Sequence, residues 1–118
     1  MATLWDKPLD PSDLDFFIAN FVDDVPVLGE DETIASFIAE PTDTAAGYGL
    51  TIESVGDYAP SKTLDDKAVL LWLSVPEDKR DNVEFCPGIE LEVEVSIITS
   101  SVPPRKIQRT WAVRVENL

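Results

Sequence analysis

From Ile89 to Ile97 the chain alternates strictly: Ile89, Leu91, Val93, Val95 and Ile97 are apolar, and Glu90, Glu92, Glu94 and Ser96 between them are polar. A period of two puts the two sets on opposite faces of one β-strand. After SSVPPRK the chain returns as IQRTWAVRV. Pairing Thr99 with Ile107 sets Val95 opposite Trp111, Val93 opposite Val113 and Leu91 opposite Val115. The large apolar side chains then share one face, which a slip of one residue would throw into water. The same register places Arg109 opposite Ile97 near the turn, where its stem reaches solvent. It also places Glu92 opposite Arg114, a cross-strand pair worth about 0.2–1 kcal/mol.

The remaining pattern is of short strands between turn clusters. LDFFIANFV is too short for a free-standing helix and rich in aromatics, which predicts a strand over Asp15 to Ala19 and a turn over Asn20 to Asp24. TIASFIA, Thr33 to Ala39, is a second strand with Ile34 and Ile38 on one face, Ala35 and Phe37 on the other, and Pro41 stopping it. EPTDTAAGYG reads as a loop, and a third strand begins after Gly49 with Leu50 and Ile52 facing one way. GDYAPSKTLDDK has the composition of a connection. AVLLWLSV, Ala68 to Val75, is apolar on both faces, as an interior sandwich strand or one covered by a partner would be. The charged PEDKRDNVEFCPG is a long break with room for a short strand over Val83 to Cys86, or a functional loop. About six or seven strands and no amphipathic helix predict an all-β, antiparallel two-sheet sandwich over residues 14–118. Residues 1–13, with Pro8 and Pro11 among acids, read as an extended N-terminal arm anchored by Trp5.

Composition narrows the function. A chain of 118 residues suits one domain with an ordinary core. Residues of the AVILMFWYC set make up 44% and charged residues 27%, a globular balance. The formal net charge of −14, from 23 acidic and 9 basic residues, repels nucleic acid and anionic lipid, so neither is an expected direct partner. The single Cys86 excludes an internal disulfide and a cysteine-based zinc framework, and is expected to pack as a small buried residue. The N-terminus lacks a signal-peptide pattern and no apolar run reaches membrane-spanning length, which predicts a soluble protein made in the cytoplasm.

The chain has no histidine, so the commonest general base and metal ligand is missing. No GxGxxG, GxxxxGK[ST] or CxxC occurs, and Gly29, Gly47, Gly49, Gly56 and Gly88 read as turn residues. Asp10, Asp13 and Asp15, and the pair Asp65 and Asp66, do not follow a twelve-residue calcium loop and read as solvated turn acids. The expectation is a protein with no catalytic residues, no metal and no cofactor.

The phrases LDPSDLDFFIANFV, EDETIASFIAE, GLTIES, AVLLWLSV and SIITSSVPPRKIQRTWAVRV occur in this order over nearly the whole chain. In order and spacing they resemble a family of small virion proteins of tailed bacteriophages. That family has a D-P-x-x-x-L-D-[YF] start, a G-D-T-I-x-S segment, a G-L-T-[IV] strand, a V-W-L-S strand and a closing T-x-x-G-R…R-[ST]-[FW]-x-[LV]-x-V hairpin. The resemblance implies an immunoglobulin-like sandwich and a fibre- or spike-associated place in the virion. This chain departs from the pattern in a shorter opening motif, in Asp31 and Glu32 before Thr33, in the long VPEDKRDNVEFCPG break and in the VPPRK turn. The last two are the candidates for contacts particular to this chain.

The leading expectation is therefore a non-enzymatic structural protein of a phage virion, either fibre- or spike-associated or a surface decoration of head, neck or tail. It would act through contacts with other virion proteins in a symmetric assembly. Its candidate docking residues are Trp5 in the arm and Lys79, Arg80, Pro103, Pro104 and Arg105 in the two loops, where scarce basic residues occur on a negative molecule. The alternative is an acidic DNA mimic that inhibits a host nucleic-acid-binding protein. Glu90, Glu92 and Glu94 are spaced by about 6.8 Å along one strand face, near the spacing of single-strand phosphates. Charge geometry discriminates: a mimic needs one continuous carboxylate face, a virion module an apolar or mixed docking patch. The plainer reading of the glutamates is a solvated outer face that blocks unwanted sheet pairing. A third reading, sugar binding, would require Tyr48, Tyr58 or Trp72 to group on one surface.

Overall fold

The computed structural model describes residues 2–118; Met1, first residue of the expected arm, lies outside them. Alternation dictates the two layers. One sheet runs in the order β1 (Thr3–Leu4), β8 (Lys106–Val115), β7 (Ile89–Thr99), β3 (Ile34–Pro41). In the other, β6 (Ala68–Ser74) is flanked by β2 (Asp15–Asn20) on one side and by the short β4 (Thr51–Ile52) and β5 (Ser61–Thr63) on the other. The pairings are antiparallel except β1 with β8. The result is an all-β sandwich whose shared core includes Phe17, Phe21, Leu71, Leu73, Leu91, Val93, Val95, Trp111 and Val113.

The β7–β8 hairpin keeps the expected faces in a different register. Val93 pairs with Trp111, Leu91 with Val113 and Val95 with Arg109, a displacement of two residues. A shift of two preserves every side chain's face, so hydrophobic alternation cannot detect it. The turn sets it. The Thr99 hydroxyl accepts the Arg105 N–H at 2.9 Å, and the Arg105 guanidinium is clamped by Glu32 and by the Val27 carbonyl. Arg105 therefore stays inside the turn and the pairing begins at Ile98 and Lys106. Glu90, not Glu92, lies opposite Arg114, whose guanidinium turns to Glu116 and the Pro87 carbonyl.

Other corrections have local causes. A bulge between Ile34 and Ser36 separates Ile34, in the core, from Ile38, which is 64% exposed on the outer face. The strand continues to Pro41, tolerated because β3 is an edge. The expected loop after it winds into a one-turn helix, α1 (Asp43–Gly47), because the Thr42 hydroxyl caps the Ala45 N–H and Ala45 is buried. The expected connection 56–67 contains β5, and Val83–Phe85 is a 3₁₀ turn capped by Asn82 in place of a strand. Phe85 takes the buried position there and Cys86 is exposed, not packed inside.

The arm is extended, as expected, but it belongs to the sandwich. Thr3 and Leu4 pair with Trp111 and Ala112, and Leu9, buried, bridges to Val115. It covers part of the free edge of β8, an edge that would otherwise invite pairing with other chains.

Candidate functional site

The six sequence-derived docking residues fall in three separate places. Trp5 faces inward: its indole N–H donates to the Ile18 carbonyl at 2.8 Å, and its ring lies 5.1 Å from Phe17 and 6.3 Å from Trp111 between centroids. Lys79 and Arg80 lie between the end of β6 and the start of β7. The Lys79 stem crosses Gly49, where φ is +96° and a Cβ would meet the Lys79 Cβ at 2.7 Å. Arg80 Nε donates to the Val75 carbonyl at 2.8 Å. Pro103, Pro104 and Arg105 lie at the far end of β7, an eleven-residue strand, and so roughly 35 Å from Arg80 by strand rise. Both arginines hold their own loops in place and the structure does not bring the two loops together.

What the fold brings together is aromatic. Along β6, Val69, Leu71 and Leu73 enter the core, which sends Leu70, Trp72 and Ser74 to the outer face. In β2, opposite them, Phe16 pairs with Trp72 and Ile18 with Leu70. On the other side of β6 the chain leaves the sheet between β4 and β5, and its 3₁₀ turn Gly56–Tyr58 lays Tyr58 against Trp72. The Trp72 ring thus sits 5.5 Å from Phe16 and 5.1 Å from Tyr58, inclined by 59° and 78°. Phe16 remains 41% and Tyr58 43% exposed, and Leu70 and Ile18 are half-buried. Phe16 and Ile18 also line a groove of ≈ 360 Å³ beside the arm, with Leu4, Trp5 and Leu64. Tyr48 is elsewhere, packed on Phe85.

The cations around this face already have partners in the chain. Lys7 Nζ lies 4.1 Å from the Phe16 ring centroid and 4.8 Å from that of Phe17, and 3.2 Å from an Asp15 oxygen. Lys62 reaches the Ile34 carbonyl and Asp66, and Lys67 the carbonyls of Glu30 and Glu32. Glu53 projects beside Trp72, accepting the Ser74 hydroxyl at 2.8 Å. Lys7, Lys62 and Lys67 are thus each held by partners within the chain, and Glu53 is the carboxylate beside Trp72 that has no cation paired with it among the described residues.

The outer face of the other sheet is mixed. Glu90, Glu92 and Glu94 line β7, and Glu40 of β3 lies directly opposite Glu94. On β8, Lys106 and Arg114 stand at the two ends of the row, with Gln108 donating to Glu94 at 2.6 Å. The perturbed acids are structural. The Arg105 guanidinium, then the Gly29 N–H, holds the Glu32 carboxyl well below the usual carboxylate range. The N–H groups of Ser12 and Leu118 lower Asp10. Among the described residues no group of three or more His, Cys, Asp or Glu side chains is placed to hold a metal ion. The aromatic face offers rings, methyl groups and carboxylates, which are the means of non-covalent attachment.

The signal for this site was the apolar character of AVLLWLSV on both faces. A strand inside a sandwich needs only one apolar face when its other face meets water. No protein-family model matches the chain, and no curated protein matches it.

Proposed function

We propose that the chain is a non-enzymatic structural protein of a tailed-bacteriophage virion, attached to another virion protein through the outer face of the β6 sheet. The observation that carries this reading is the Phe16–Trp72–Tyr58 cluster, an exposed aromatic patch on a molecule of net charge −14. Interface centres are enriched in such rings, and charged surface elsewhere keeps the free protein from self-associating. The order of motifs along the sequence, which resembles the phage family, supplies the virion setting.

The acidic-mimic alternative draws on Glu90, Glu92, Glu94 and Glu40. Lys106 and Arg114 close that face at its two ends, and four carboxylates bounded by cations make a poor copy of a phosphate track. Mass spectrometry of purified particles of the encoding phage tests the choice. Presence at a fixed copy number supports the structural role. Absence from the particle, with salt-sensitive binding to a basic nucleic-acid-binding protein, would replace it by the mimic.

A further inference from the structure

We infer that the occupant of the Phe16–Trp72–Tyr58 face is a basic protein segment whose arginine or lysine side chains lie against the rings. This rests on the docking role proposed above and specifies its partner.

Lys7 supplies an internal example. Its ammonium sits over Phe16 and Phe17 while paired with Asp15, so one corner of the face already holds a cation by a ring and a carboxylate together. At the other end, Trp72 and Tyr58 stand beside Glu53, and among the described residues no cation lies over either ring. Trp5 and Trp111 donate their indole N–H groups to Ile18 and Asp24. The Trp72 indole N–H has no acceptor among the described residues and is not a buried donor, so it is available to a carbonyl of an incoming backbone.

Charge selects among occupants. Nucleic acid, an acidic peptide, an anionic membrane or a second copy of this chain would meet a field of its own sign. A basic segment is drawn in, and a guanidinium both stacks on aromatic faces and pairs with carboxylates. A neutral saccharide lacks the electrostatic gain. The inclination of 59° and 78° between neighbouring rings also breaks up the flat platform on which a pyranose stacks.

The test is an NMR titration of the ¹⁵N-labelled full chain with an alternating Arg-Leu peptide. Comparators are its citrulline-for-arginine and Glu-Leu counterparts and a neutral hexasaccharide. The expected result is shifts centred on Phe16, Tyr58 and the Trp72 indole. Affinity should be at least tenfold weaker for the citrulline peptide and for the Tyr58→Ser chain, and should fall as salt rises to about 150 mM. Equal affinity for the citrulline or Glu-Leu peptide, shifts centred on Glu90 to Glu94, preference for the saccharide, or no binding would each overturn the inference. If Tyr58→Ser nonetheless lowers incorporation into particles, docking stands and only the partner's chemistry falls. If incorporation is unchanged, the docking role itself falls.

Discussion

Replacing Trp5 by alanine removes the side chain that fastens the arm into the sandwich. A fully buried tryptophan truncated in this way costs about 3–5 kcal/mol. Trp5 is half-buried and packs on Phe17 and Trp111, so the apolar loss is smaller, roughly 2 kcal/mol. The hydrogen bond to the Ile18 carbonyl adds about 1 kcal/mol, and water can reach that edge strand to limit the penalty. Trp5→Ala should therefore lose about 3 kcal/mol from a total of about 5–15, and lower the melting temperature by roughly 10 °C. Trp5→Phe, which keeps a ring and loses the donor, should lose about 1 kcal/mol. Deleting residues 2–9 should cost more than either, because Leu9 and the β1 pairing go too. Urea unfolding with an unchanged m-value is the assay. If both substitutions stay within about 0.5 kcal/mol of wild type, the arm is a detachable tether and its place in the fold is wrong.

The clamp between Arg105 and Glu32 predicts a pH signature. A carboxylate depressed in the folded state contributes stability that is present above its ordinary value of 4.5 and lost as pH falls through the folded value. The advantage of wild type over Arg105→Gln in urea titrations should be constant near neutrality and shrink below pH 4.5; an advantage constant through the acid range contradicts the clamp. Glu40→Gln should raise stability by about 0.2–1 kcal/mol by relieving the opposed Glu94, more at low salt, and a loss in melts at two ionic strengths would argue against that pairing. Cys86 in the native protein should react with a thiol reagent at nearly the rate seen in urea, whereas a thiol silent until unfolding would restore the buried placement.

Much of the sandwich is legible because alternation reports faces. β2, β6, β7 and β8 lie close to where the pattern puts them, and Leu91, Val93, Val95, Trp111 and Val113 are core residues as it requires. Alternation reports parity only, so the two-residue shift set by Thr99, Arg105 and Glu32 escapes it, and one extra residue in the bulge at Ala35 inverts everything after it. The strand expected after Gly49 is present as β4, whereas α1 and β5 owe their form to a cap or to a neighbouring strand rather than to their own few residues. The aromatic site was half visible: doubly apolar AVLLWLSV marks its centre. Its partners Phe16 and Tyr58 arrive from β2 and a 3₁₀ turn, and their convergence is a tertiary fact.

Incorporation into phage particles is the most direct test of the central claim that the outer face of β6 is the docking surface. Phe16→Thr and Tyr58→Ser alter exposed side chains and should leave the domain folded in thermal melts, with Glu92→Gln on the opposite sheet as control. Quantitative mass spectrometry of particles assembled with each variant in competition with wild type should show the first two depleted at least tenfold and Glu92→Gln at parity. Parity for Phe16→Thr and Tyr58→Ser, or depletion of Glu92→Gln alone, would contradict the account.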